Sequence, residues 1–113
     1  MITLDALRGF GADTDRGLAT CMGNEALYLR LVSSVSSEKS FDDLSSAIKA
    51  GDLDSAFEAA HALKGVLGNL SLTPLYEKAS EITEFLRNKT DTDYGKLLDE
   101  LMSKKDILTD LCK

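Results

Sequence analysis

The chain has no tryptophan, a single proline and a single histidine among its 113 residues. Only 6% of its residues are aromatic, so any core must be built from aliphatic side chains. With one proline, little interrupts helix formation. No apolar run approaches the roughly 20 residues that span a bilayer, and no signal peptide opens the chain. Sustained period-two alternation is missing, which argues against strands. The two cysteines, Cys21 and Cys112, lie near opposite ends. Neither has a second Cys or a His at metal-ligand spacing, so no structural zinc set exists. This pattern suits a reducing, cytoplasmic setting and argues against a disulfide.

Basic charge is also in short supply. Thirteen Lys and Arg stand against nineteen Asp and Glu, for a formal net charge of -6. Such a chain repels the phosphate backbone of nucleic acid and anionic membrane surfaces, leaving a protein as the expected partner. Moderate acidity is equally an ordinary means of staying soluble.

What is present points to helices. The length fits one domain spanning 1–113, and the 43% apolar content is that of a folded chain rather than a disordered one. Leu and Ala dominate the apolar set, and both are strong helix formers. Asp13, Thr14 and Asp15 predict the start of a short first helix that Gly23 closes. Asn24 suits the N-cap of a segment carrying Leu27, Leu31 and Val35. Ser40 with Asp43 resembles a capping box ahead of Phe41, Leu44, Ala47 and Ile48. Gly51 fits the position just past that helix, and Asp52 can cap the next, which runs to about Leu70. Thr73 then reads as an N-cap with Pro74 at the first helical position. Leu75, Ala79, Ile82 and Leu86 form the next apolar stripe. A last helix begins near Asp91 to Asp93 and carries Tyr94, Leu97, Leu98, Leu101, Leu108 and Leu111. Short loops make consecutive long helices antiparallel. The expected fold is all-α: an up-and-down antiparallel four-helix bundle with one or two short additional helices at the N-terminus.

The segment from Asp52 to Leu70 carries the chemistry. At about 100° per residue, Ala56, Ala59, Ala60, Leu63, Val66, Leu67 and Leu70 cluster on the side away from His61. Asp54, Phe57, Glu58, Lys64, Gly65 and Gly68 share the face of His61. A lone histidine is usually a satisfied core residue or an ordinary surface one. The wheel weakens the first reading, and two glycines weaken the second. Gly65 and Gly68 each cost about 1 kcal/mol relative to Ala inside a helix. On an outward face, core packing does not account for them, whereas clearing space beside an imidazole does. Lys64, one turn on, can stabilise the negative charge of a phosphoryl group on that imidazole. A neutral imidazole is a nucleophile near neutral pH. Lys64 could equally be a solvated surface lysine. Other chemistries lack their parts: there is no hydrolytic triad around Ser71, and no glycine-rich strand-to-helix loop.

The string His61-Ala62-Leu63-Lys64-Gly65, followed by Gly68-Asn69-Leu70, resembles the signature of histidine-containing phosphotransfer (HPt) domains. Gly51-Asp52-Leu53 through Ala59-Ala60 is similar to the family's approach to its histidine, and the earlier segments resemble its first helices more loosely. The resemblance implies a phosphorelay intermediate of two-component signalling. On it, His61 accepts a phosphoryl group from an aspartyl phosphate of one receiver domain and passes it to another. Lys64 stabilises the group, and Gly65 and Gly68 give the receiver access. A polar group on a neighbouring helix, Glu81 or Glu84, would orient the imidazole; Asn69 receives no role. Implied partners are response-regulator receivers or a hybrid sensor kinase, with Mg²⁺ supplied by the receiver and no cofactor on this chain. Neither nucleic acid nor membrane is an expected partner, and the expected state is a monomer.

Phe57 and Glu58 are candidate docking residues, although Phe57 could instead pack at the core boundary. With no ATP-binding kinase domain, the chain is not expected to phosphorylate itself. Met1 and the short N-terminus favour a free-standing shuttle over an excised domain. The alternatives are a binding module that docks a receiver or kinase through the same face without phosphoryl chemistry, and a purely structural bundle.

Overall fold

The structure, a computed structural model, describes residues 2–113; Met1 lies outside the described residues. Among the described residues, seven α-helices follow one another: α1 (Leu4–Phe10), α2 (Thr14–Thr20), α3 (Glu25–Ser34), α4 (Lys39–Ala50), α5 (Leu53–Asn69), α6 (Thr73–Arg87) and α7 (Tyr94–Leu111). A single 3-10 turn, Val35–Ser37, joins α3 to α4. No strand occurs among the described residues. Among the described residues, no helix is long and apolar enough to cross a membrane.

Most helix ends carry the expected chemistry. Asp13, Asn24, Asp52 and Asp93 each accept a hydrogen bond from the backbone N–H three residues on, satisfying a donor that the first helical turn leaves free. Gly51 adopts φ 72°, the left-handed conformation that ends α4 and lets Asp52 start α5 at once. Two caps differ from expectation. Glu38, not Ser40, caps α4: its carboxylate accepts from the Ser40 N–H and hydroxyl, so the Ser40–Asp43 box does not form. Leu72 occupies the N-cap of α6 without a side-chain bond, which makes Thr73 the first helical residue and shifts Pro74 one position inward.

Three helices precede α4, where one or two short ones are expected. The extra one is α1, capped by Thr3 and ended by Gly11 at φ 110°. Tyr28 and Val32 form the buried face of α3, while Leu31 is 39% exposed. The wheel through Leu27, Leu31 and Val35 is therefore rotated by one residue, and the 3-10 turn is what brings Val35 back inside. Tyr28 sets the position of this N-terminal part. Its ring lies against Gly17, where a Cβ would come within 2.5 Å of ring atoms. Its buried hydroxyl donates to the Leu70 carbonyl at 2.8 Å. Burial pushes the phenol above its usual pKa, aided by Cys21 and Asp13, so it remains a neutral donor.

The four longest helices pack α4 on α5, α5 on α6, α6 on α7 and α7 on α4. Their shared core holds Phe41, Leu44, Ala56, Ala60, Leu63, Leu67, Leu75, Ala79, Ile82 and Leu101, all fully buried. Arg87 covers Phe57, and Tyr76 covers Gly68. Since low numbers on α5 face high numbers on α6, the pair is antiparallel. For α6 and α7, Lys78 bonds both Glu81 of its own helix and Glu100 of α7, while Tyr94 at the start of α7 donates to the Phe85 carbonyl near the end of α6, so this pair is antiparallel too.

Candidate functional site

Helix α5 buries Ala56, Ala59 and Ala60 in the bundle, where it packs on α4 and α6, and turns its opposite side outward. Ala56, Ala59, Ala60, Leu63 and Leu67 are buried, whereas His61 is exposed. Val66, on the buried side of the wheel, is only half-buried, and so are Phe57, Lys64 and Gly68 on its outward side.

Around His61 the site residues separate into three groups. Lys64, Gly65 and Gly68 join His61 in one shallow hollow of about 280 Å³, completed by Asn69 and by Tyr76 of α6. Phe57 lies on the other side of the imidazole, stacked on it with 5.9 Å between ring centroids and 21° between planes. Glu58 is exposed, but it lines the groove between α4 and α5 with Asp52, Ser55 and Ala62, apart from the His61 hollow.

Polar partners are few. Among the described residues, no hydrogen bond is made by the His61 imidazole, and no carboxylate pairs with the Lys64 ammonium. Glu81 is taken up by Lys78, and Glu84 by Arg87 at 3.3 Å. Neither acid bonds the imidazole. No group of three metal-ligating side chains gathers among the described residues.

The two glycines differ. A Cβ at Gly65 would meet nothing within 4 Å, so the space there is open to solvent. One at Gly68 would come within 3.0 Å of the Tyr76 ring. The expectation that Gly68 faces only outward space is thus corrected: it accommodates a side chain of α6. Phe57 is also less exposed than expected. It is half-buried against the core, with the Arg87 guanidinium 5.4 Å from its ring centroid.

A family model described as Hpt domain matches residues 31–112. The chain belongs to the Hpt domain family. The match includes all of α4 to α7 and so the whole hollow around His61, while α1, α2 and most of α3 precede it. Comparisons with curated proteins and with solved structures return no match. Membership in the Hpt family places the chain in two-component phosphorelay signalling, where such domains interact with receiver domains and kinases. Tyr76, Asn69 and Arg87 are the residues around His61 and Phe57 that sequence reasoning left without a role. The signal for two of them was available in the register: once α5 and α6 are antiparallel, Gly68 opposite Tyr76 and Phe57 opposite Arg87 follow together.

Proposed function

We propose that His61 is the phosphoacceptor of a phosphorelay, taking a phosphoryl group from a receiver-domain aspartyl phosphate and handing it to a second receiver. The observation that carries this reading is the arrangement of one exposed imidazole, an unpaired ammonium one turn away and open space at Gly65. In the forward step, an imidazole nitrogen lone pair attacks phosphorus. The N–P bond forms, the P–O bond to the aspartate breaks, and the carboxylate leaves with the electron pair. The proton on the other ring nitrogen stays there or passes to water. The reverse step on a second receiver restores the imidazole. Lys64 offsets the phosphoryl charge, and Gly65 lets the receiver's loops come close.

On this reading Mg²⁺ belongs to the receiver, no autokinase activity resides here, and the protein acts as a cytoplasmic monomer. We take α4 to α7 as an up-and-down four-helix bundle, with α1 to α3 packed on it. Short connections and the closing contact of α7 on α4 support that arrangement.

The test is incubation with a ³²P-labelled receiver. Label should appear on the protein, survive base and be lost in acid. Label on His61→Gln would refute the assignment. A protein that binds the receiver, takes no label and signals normally as His61→Ala is instead a docking module.

A further inference from the structure

We infer that Phe57 is a positioning residue for the His61 imidazole rather than a surface contact for the partner. The consequence for transfer rests on the phosphotransfer reading above. An exposed imidazole without a hydrogen bond has several staggered rotamers within reach. Phosphoryl transfer requires its lone pair to point along one line at phosphorus, and small misplacements slow such steps strongly. Something other than a polar group must hold this ring.

Phe57 is in place to do so. It lies one turn before His61 on the same face of α5, the spacing at which helical side chains meet. The two rings form an offset stack, with centroids 5.9 Å apart and planes inclined by 21°. Phe57 is itself held. Its ring packs on the core, and the Arg87 guanidinium of α6 sits 5.4 Å from its centroid. Arg87 is in turn bridged to Glu84 at 3.3 Å. Phe57 takes no part in the hollow formed by His61, Lys64, Gly65, Gly68, Asn69 and Tyr76. The imidazole therefore has an anchored aromatic wall toward the start of α5 and open space toward its end. A partner entering the open side meets a ring already backed from behind. Half-buried and covered by Arg87, Phe57 offers that partner little surface of its own.

The experiment compares Phe57→Leu, which keeps an apolar group on the core, with Phe57→Tyr and Phe57→Trp, which keep an aromatic ring. Two readouts are taken after circular dichroism shows each variant folded. The first is the pair of His61 ring-proton resonances, which the Phe57 ring current displaces. The second is single-turnover transfer from a phosphorylated receiver, resolved into the saturated rate and the half-saturating receiver concentration. In Phe57→Leu the resonances should move to those of a free histidine. The saturated rate should fall about three- to tenfold, the size of one aromatic stacking contact, with half-saturation within about twofold. Phe57→Tyr and Phe57→Trp should restore both. Unmoved resonances, an unchanged saturated rate, or a loss confined to half-saturation would each overturn the inference, the last making Phe57 a docking contact. If the wild-type protein takes no label, the phosphotransfer reading fails, and the resonances alone still decide whether Phe57 holds the ring.

Discussion

Tyr76 of α6 lies over Gly68 of α5, and a methyl group at position 68 would approach its ring to 3.0 Å. Three residues earlier on α5, Gly65 faces nothing within 4 Å. Alanine should therefore act differently at the two sites. Gly65→Ala should stabilise the fold by about 0.5–1 kcal/mol, the helix-propensity gain, while slowing phosphotransfer by intruding on the receiver's approach. Gly68→Ala should gain less, because Tyr76 must move aside. Adding Tyr76→Ala should return the missing part of that gain as a non-additive term. Urea unfolding of the singles and the double checks this; equal, additive gains would refute the contact.

Lys64 lines the hollow beside His61, and no acid neutralises it among the described residues. Lys64→Met should keep the stem's packing and remove the charge. We expect the saturated transfer rate to drop about tenfold or more, the worth of a hydrogen bond to a charged group, with receiver binding retained. Stopped-flow transfer with a separate binding titration measures both.

Tyr28 links α3 to the end of α5 through its bond to the Leu70 carbonyl. Tyr28→Phe should cost about 1–3 kcal/mol, because a buried acceptor loses its donor. Gly17→Ala should destabilise despite alanine's better helix propensity, since its Cβ would overlap the Tyr28 ring at 2.5 Å. Thermal unfolding tests both, and a stabilised Gly17→Ala would refute the packing described here.

Asp52 titrates below the usual carboxylate range, because its side chain accepts from the Ser55 hydroxyl and from the Ser55 N–H. A depressed folded-state pKa means that the charged cap stabilises the fold above the ordinary value of 3.8 and loses that contribution as pH falls through the folded value. Asp52→Asn keeps an acceptor and removes the titration. Its stability should fall less steeply than the wild type's below about pH 4, as read by denaturant unfolding at a series of pH values.

Most helices, and the exposure of His61, were legible in the chain because they are local. A 3.6-residue period and a cap three residues from its N–H depend only on neighbours in sequence. Asn24, Gly51, Asp52 and Asp93 act where such signals put them. The errors lie where neighbouring groups compete for one cap and where tertiary packing chooses the buried stripe. Glu38 displaced Ser40 as a cap, and Tyr28 and Val32, rather than Leu31, form the buried face of α3.

By itself, then, the sequence determined an all-helical chain with a lone imidazole, a lysine and a glycine on one outward face of α5. These follow from side-chain spacing along a single helix. Only the tertiary structure decided what surrounds that imidazole. Antiparallel packing of α6 on α5 covers Gly68 with Tyr76 and Phe57 with Arg87. A helical wheel carries no information about the neighbouring helix, so the Arg87 that backs Phe57 and the Tyr76 that covers Gly68 arise only when the two helices meet.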